Sequence, residues 1–229
     1  MAARQGRVRM LGPAARQAMF ERLRAAMPEP ATELAYASTY QLLVSVILSA
    51  QATDKSVNLA TGPLFRVAAT PAAMVALGEA GLAGYIRTIG LWRMKAKHVL
   101  KASRTILAHH GGEVPRTRAA LEALPGVGRK TANVVMNTAF GEPTIAVDTH
   151  IFRVANRTGL APGRNVREVE DRLVKLVPEE FRAHAHHWLL LHGRYVCKAR
   201  RPLCPQCPIR DLCLYRDKTE PGSPAISSG

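Results

Sequence analysis

Hydrophobic positions recur at helical spacing along most of this chain, and period-two alternation is nearly absent. That pattern predicts an all-α fold with short connections. Residues 14–27 put Met19, Leu23, Ala26 and Met27 on one face and stop at Pro28. Residues 39–50 are apolar nearly all round, through Leu42, Leu43, Val46, Ile47 and Leu48, which marks a helix buried in the centre of a bundle. Asp54 is placed to cap a helix through Leu59 that Gly62-Pro63 breaks, and Pro71 to open a short helix reaching Leu77. The pattern resumes over 94–108 until Gly111-Gly112, then over 117–124, 129–139, 149–158, 166–177 and 180–192. Residues 217–229 are polar and rich in Pro, Gly and Ser, the composition of a disordered tail.

Two stretches carry a different signal. Leu124-Pro125-Gly126-Val127-Gly128 lies between two helical patterns and leads into Arg129 and Lys130. Gly126 and Gly128 permit close backbone approach, and amides at the start of the next helix favour an anion, with a nucleic-acid phosphate the natural ligand. An ordinary helix–helix turn closed by glycine fits the same composition. Lys130, Asn133 and Asn137 follow at i, i+3 and i+7, on the polar side of that helix. The positive helix end and Arg129 both disfavour a further charge at Lys130, so its amine reads either as a nucleophile or as a phosphate contact. The second stretch is the apolar run Ile145-Ala146-Val147, which delivers Asp148 in front of another helix. Asp is a preferred N-cap, and one carboxylate can cap a helix and still face a cleft.

Composition sharpens the choice of partner. Hydrophobic residues make up 47% of the 229 residues, enough for a sizeable core. Lys and Arg total 32 against 17 acids, a net charge of +15 spread along the chain, which favours a polyanion. A membrane surface would need a basic amphipathic helix with aromatic anchors, and aromatics are only 5%. The apolar segment from Leu42 to Ala50 is shorter than the ~20 residues that span a bilayer, and the N-terminus shows no signal-peptide core. A cytoplasmic protein is expected.

Four cysteines, Cys197, Cys204, Cys207 and Cys213, are separated by six, two and five residues and occur nowhere else. In an intracellular chain such clustering reads as metal binding. A zinc site more often shows two short cysteine pairs, whereas irregular wrapping by four thiolates suits one [4Fe–4S] cubane. Lys198, Arg200 and Arg201 lie inside this loop, where a metal staple would present them to phosphates; a solvated charge run is the plainer reading.

The segments 48–54 (Leu-Ser-Ala-Gln-Ala-Thr-Asp), 124–135 (Leu-Pro-Gly-Val-Gly-Arg-Lys-Thr-Ala-Asn-Val-Val) and 144–154 (Thr-Ile-Ala-Val-Asp-Thr-His-Ile-Phe-Arg-Val), with the cysteine spacing, resemble the endonuclease III family of DNA base-excision-repair enzymes. The resemblance runs over roughly residues 14–215. It implies a two-lobed helix–hairpin–helix glycosylase fold, with a six-helix barrel over 35–145 and an iron–sulfur lobe from 1–34 and 146–216. It implies a bacterial, nucleoid-associated monomer acting on double-stranded DNA that contains oxidised pyrimidines or abasic sites, with the damaged nucleotide flipped out. By family role Lys130 attacks the sugar, a Schiff base forms, β-elimination nicks the strand and Asp148 assists. The four cysteines hold the cluster. Gln51 fills the vacated space and Leu91 is the wedge, while Gly126, Gly128, Arg129, His150, Lys198, Arg200 and Arg201 are candidate DNA contacts. The chain departs from the family after the wedge, where Trp92-Arg93-Met94 stands. His150 also reads as a buried hydrogen-bonded imidazole. Two rivals are separated by particular residues. A monofunctional adenine-mismatch glycosylase of the same superfamily usually lacks a lysine at position 130, and a non-catalytic DNA-binding protein has no need of Lys130 and Asp148 together.

Overall fold

The computed structural model describes residues 9–220, and these form ten α-helices with no strand. The chain divides into two compact units, one of Thr32–Ala146 and one built from both ends of the chain, up to Ala31 and from Val147 onward. No single helix among the described residues is long and apolar enough to cross a membrane.

The first unit holds α2 (Thr39–Leu48), α3 (Asp54–Val67), α4 (Pro71–Ile86), α5 (Trp92–His109), α6 (Arg118–Glu122) and α7 (Arg129–Phe140). Helix α2 is its axis: every residue from Tyr40 to Leu48 is buried, and α3, α5 and α7 pack around it. This is the central buried helix that the continuous apolar run predicts. Ser38 caps it by accepting the Gln41 amide, as Thr53, Thr70 and Thr117 cap α3, α4 and α6.

Two helices run further than local composition predicts. Helix α3 passes through Pro63 rather than breaking there. Proline removes the amide that would bond the Leu59 carbonyl, but Leu59 is on the exposed side, where water can take that carbonyl. The stripe Val57, Ala60 and Leu64 stays buried on both sides of the proline. Helix α4 does not stop at Leu77. Gly78 takes φ 70° and ψ 176°, a conformation open to glycine, and a second helical segment follows and buries Leu82, Ala83 and Ile86.

The second unit holds α1 (Pro13–Ala26), α8 (Thr149–Thr158), α9 (Val166–Leu176) and α10 (Arg182–Tyr195), followed by the cysteine loop. Phe20 of α1 stacks on Phe181 at 5.5 Å, and Trp188 of α10 meets Phe181 edge-on at 6.0 Å. The Trp188 indole donates to the Met27 carbonyl at 2.8 Å, which satisfies its one buried donor and ties the end of α1 to α10.

Residues 217–220 are held in place, although composition predicts disorder from Asp217 onward. Lys218 Nζ donates to the Cys213 carbonyl at 2.7 Å, Thr219 Oγ1 donates to the Pro202 carbonyl at 2.6 Å, and Glu220 pairs with Arg210 at 2.6 Å. Side-chain partners in the cysteine loop thus override the polar composition. The remainder of the predicted tail, 221–229, lies outside the described residues.

Candidate functional site

Helices α6 and α7 are joined by the glycine hairpin. The Val127 amide donates to the Leu124 carbonyl at 3.0 Å, and Val127 is buried, so the turn is pinned at its centre while Gly126 and Gly128 stay exposed. Gly126 has φ +80°, and a Cβ there would fall 2.6 Å from the Cβ of His98 on α5. Both backbone conformation and space therefore demand glycine at this corner. Gly128 opens α7 with no side-chain cap, and a Cβ added there would meet nothing. Gly128 thus supplies no side-chain oxygen to the first turn of α7, at the end of the helix that attracts anions. Lys130 is exposed in that first turn, and Arg129 beside it is half-buried.

Asn133 and Asn137 are not on an open polar face with Lys130. They are 1% and 6% exposed. Asn137 Nδ2 donates to the Glu142 carbonyl at 3.1 Å, Thr144 Oγ1 donates to the Asn133 carbonyl at 2.6 Å, and Arg118 donates to Asn133 Oδ1 at 3.0 Å. The two asparagines fasten the extended segment 142–146 along α7. That segment buries Ile145 and Ala146 and leads into Asp148.

Asp148 is the N-cap of α8. Its Oδ1 accepts the amides of His150 and Ile151 at 2.8 and 2.9 Å. Both bonds fall on one oxygen of a half-buried carboxylate, so Oδ2 keeps its lone pairs for another partner. His150 is half-buried, with Nδ1 at 3.2 Å from an Arg153 Nη2.

Gln51 and Leu91 are the two non-glycine residues with positive φ among those described, 54° and 60°. Such backbone costs on the order of 1 kcal/mol per residue, and surrounding structure must enforce it. The two corners adjoin: a Cβ at Gly90 would lie 4.0 Å from the Gln51 carbonyl oxygen. Both side chains are exposed, Leu91 by 51%. The structure thus brings the plug and wedge candidates together on one strained surface of the first unit.

The four cysteines are unpaired and line one cavity with Arg157, His192, Leu203, Ile209, Tyr215 and Lys218. Among the described residues, no three His, Cys, Asp or Glu side chains come close enough to hold a single ion. Thiols that surround a space instead of converging on a point suit a cluster in which each iron takes one sulfur. Burial, with the charges of the other three cysteines, pushes the Cys207 thiol up to about 11, against one opposing backbone hydrogen bond. Burial likewise raises Cys213. The thiolates of Cys207 and Cys213 therefore need a nearby cation to compensate them, which is what iron supplies.

Arg153 and Arg157, one turn apart on α8, hold this loop. Arg153 donates to the carbonyls of Cys197 and Gly193 at 2.9 and 2.8 Å. Arg157 donates to those of Lys198 and Ala199, each at 2.7 Å, reaches the Cys197 sulfur at 3.8 Å and lies over the Tyr215 ring. Burial takes the His192 imidazole down to about 4, so it is neutral at 3.7 Å from the Cys207 sulfur. Lys198, Arg200 and Arg201 sit exposed on the loop. Sequence reasoning passed over the two arginines, although their i, i+4 spacing on a helix next to Asp148 was visible. It also passed over Lys95, which is 2% exposed with no hydrogen-bond partner for its amine, and whose burial favours the neutral form.

Residues 44–179 match the family model described as HhH-GPD superfamily base excision DNA repair protein, and residues 197–213 match the iron–sulfur binding domain of endonuclease III. The chain is 60% identical to endonuclease III of Escherichia coli strain K12, over 92% of this chain and 100% of that protein. It is 61% identical to the Haemophilus influenzae endonuclease III, over 87% and 94%. Among solved structures, a trapped endonuclease III–DNA covalent intermediate superposes with a TM-score of 0.84 at 43% identity, covering 89% of this chain and 96% of that one. A thermostable thymine-DNA glycosylase gives 0.79 at 25% identity, covering 88% and 96%.

Proposed function

Because the chain belongs to the endonuclease III family, within the HhH-GPD superfamily of base excision DNA repair proteins, we infer that its chemistry runs through Lys130 and Asp148. The protein is a DNA glycosylase and AP lyase and carries a [4Fe–4S] cluster. The observation that carries the residue assignment is an exposed amine in the first turn of a helix whose amides no side chain caps, behind a turn that only glycine can make.

In this reading the hairpin amides hold the DNA backbone while Lys130 Nζ attacks C1′ of a flipped nucleotide. The C1′–N bond breaks and the base leaves with that electron pair, taking up a proton. The sugar ring opens to a Schiff base on Nζ. Loss of a C2′ proton then expels the 3′ phosphate and cuts the strand. Asp148, with Oδ2 uncommitted, stabilises positive charge developing on the sugar and assists proton transfer. Oxidised pyrimidines are the base class we assign, in double-stranded DNA, with the enzyme acting as a monomer at the bacterial nucleoid. Gln51 fills the gap left by the flipped nucleotide and Leu91 opens the step beside it. Lys198, Arg200, Arg201, Arg129 and His150 lie along the phosphates.

Cys197, Cys204, Cys207 and Cys213 are the residues assigned to the cluster, whose part is to hold the basic loop in shape and not to excise the base. Cys213→Ala should leave the purified protein well short of about four irons per chain and lower its Tm. A variant with full iron and native Tm would contradict the assignment.

The function itself is tested with a panel of duplexes, each carrying one defined lesion, in excess EDTA. Cutting is expected at abasic sites and oxidised pyrimidines and not at undamaged bases or mispaired adenine, because the lyase step uses an amine and no divalent ion. Release of bases without strand cutting would overturn the lyase reading, and a preference for adenine mispairs would overturn the substrate class.

A further inference from the structure

We propose that Met94 is a second prong of the wedge, entering the base stack together with Leu91 and so setting how readily this enzyme opens an intact duplex. The inference rests on the reading of Leu91 as the wedge given above.

Leu91 is the N-cap residue of α5, and Met94 is the third helical residue. At a polar helix start each of these two positions accepts, through its side chain, a hydrogen bond from the other's backbone N–H, so the two side chains lie over the same end of the helix. Here both are apolar and α5 has no side-chain cap. Leu91 is 51% and Met94 49% exposed. A helical side chain leans toward the N-terminus, so Met94 is directed at the Leu91 end of α5. The rest of the first turn is committed elsewhere. Trp92 is half-buried against the core with the Arg93 guanidinium 4.3 Å over its ring, and Lys95 is buried.

Leu91, Met94 and His98 follow at i, i+3 and i+7, one face of α5. At one end of this face lies the strained Gln51–Gly90 corner, and at the other His98 packs beneath Gly126 of the hairpin. Seven residues of helix span roughly 10 Å, about three nucleotides of a stacked strand. Met94 therefore lies between the residues assigned to open the stack and the turn assigned to grip the backbone. Leu and Met side chains are among those that wedge between base steps. An apolar pair with this much exposed surface gains when a base step covers it.

The test compares wild type, Met94→Ser, Met94→Leu and Leu91→Ala. Duplexes carry thymine glycol with 2-aminopurine at the neighbouring position, whose fluorescence rises on unstacking, and the same strand is also supplied single. For Met94→Ser the ratio of duplex to single-strand cutting should fall roughly tenfold relative to wild type, from loss of a half-buried methionine contact. The fluorescence rise should shrink in step, and Met94→Leu should restore both. Combined with Leu91→Ala the effects should be less than additive, as expected of two side chains filling one gap. A ratio and fluorescence rise equal to wild type in Met94→Ser, or strict additivity, would overturn the proposal. Fluorescence is read on binding alone, so a wild type that unstacks the duplex without cutting it would strike the proposed chemistry and leave the wedge assignment to be judged on its own signal.

Discussion

Lys130→Ala is expected to abolish strand cutting at abasic sites, lowering the rate on the order of 10⁴-fold or more, while duplex binding persists. The two effects separate because the hairpin and the amine are different devices. Binding at the turn uses backbone amides of the first turn of α7, which remain after the side chain is cut back, and Gly126 still packs over His98. Lys130 is exposed, so its loss creates no cavity, and alanine is the best helix former. Stability should stay within a few tenths of a kcal/mol, the usual range for a surface change. Since the amides and not this amine hold the phosphate, the salt dependence of binding should be little changed. Covalent chemistry, by contrast, has no substitute in the same position. Gel-shift binding at two salt concentrations and single-turnover cutting, on the same protein preparation, check the separation. A variant that cuts abasic DNA at a tenth of the wild-type rate would make Lys130 a phosphate contact.

The second large effect is expected at Asp148, where two roles fall on one carboxylate and one substitution divides them. Asparagine is as good an N-cap as aspartate, so Asp148→Asn keeps the bonds that Oδ1 accepts from His150 and Ile151. It removes the negative charge and gives Oδ2 a donor in its place. Helix α8 should start as before, at a cost of about 0.3–1 kcal/mol from the lost charge–dipole interaction. Base excision should fall by roughly 10²–10⁴-fold, the range for a positioned acid–base group. Asp148→Ala should show a similar loss of activity with about 1 kcal/mol of stability lost as well, since the cap goes too. Single-turnover excision and thermal unfolding on both variants decide the matter. If the asparagine variant excises at nearly the wild-type rate, the carboxylate is a helix cap and nothing more.

Different parts of this molecule were legible in the sequence for different reasons. Helix α2 could be read from its continuous apolar run, and the glycine turn before Lys130 and the helix cap at Asp148 from local motifs, because a turn and a cap are each specified within a few residues. What depends on distant partners was not legible. Asn133 and Asn137 read as a polar face because only the fold shows segment 142–146 lying on them. Gly62-Pro63 and Leu77 read as helix ends because the packing of Leu64, Leu82 and Ile86, which carries the helices past them, is tertiary. The left-handed backbone of Gln51 and Leu91 leaves no mark in residue type, since neither is a residue that favours it. Arg153 and Arg157 looked like part of a general basic excess until their targets, the carbonyls of the cysteine loop, were in view. Polar composition at 217–220 pointed to disorder, and a few side-chain bonds to the cysteine loop reverse that.

The most direct test of the account is chemical. Borohydride reduction of the enzyme on abasic DNA fixes a Schiff base as a stable amine, and proteolysis with mass spectrometry then locates it. The account predicts one reduced adduct, on the peptide that contains Lys130. An adduct on another amine, such as Lys95, whose Nζ is buried away from solvent, or no adduct from an enzyme that still cuts the strand, would contradict it.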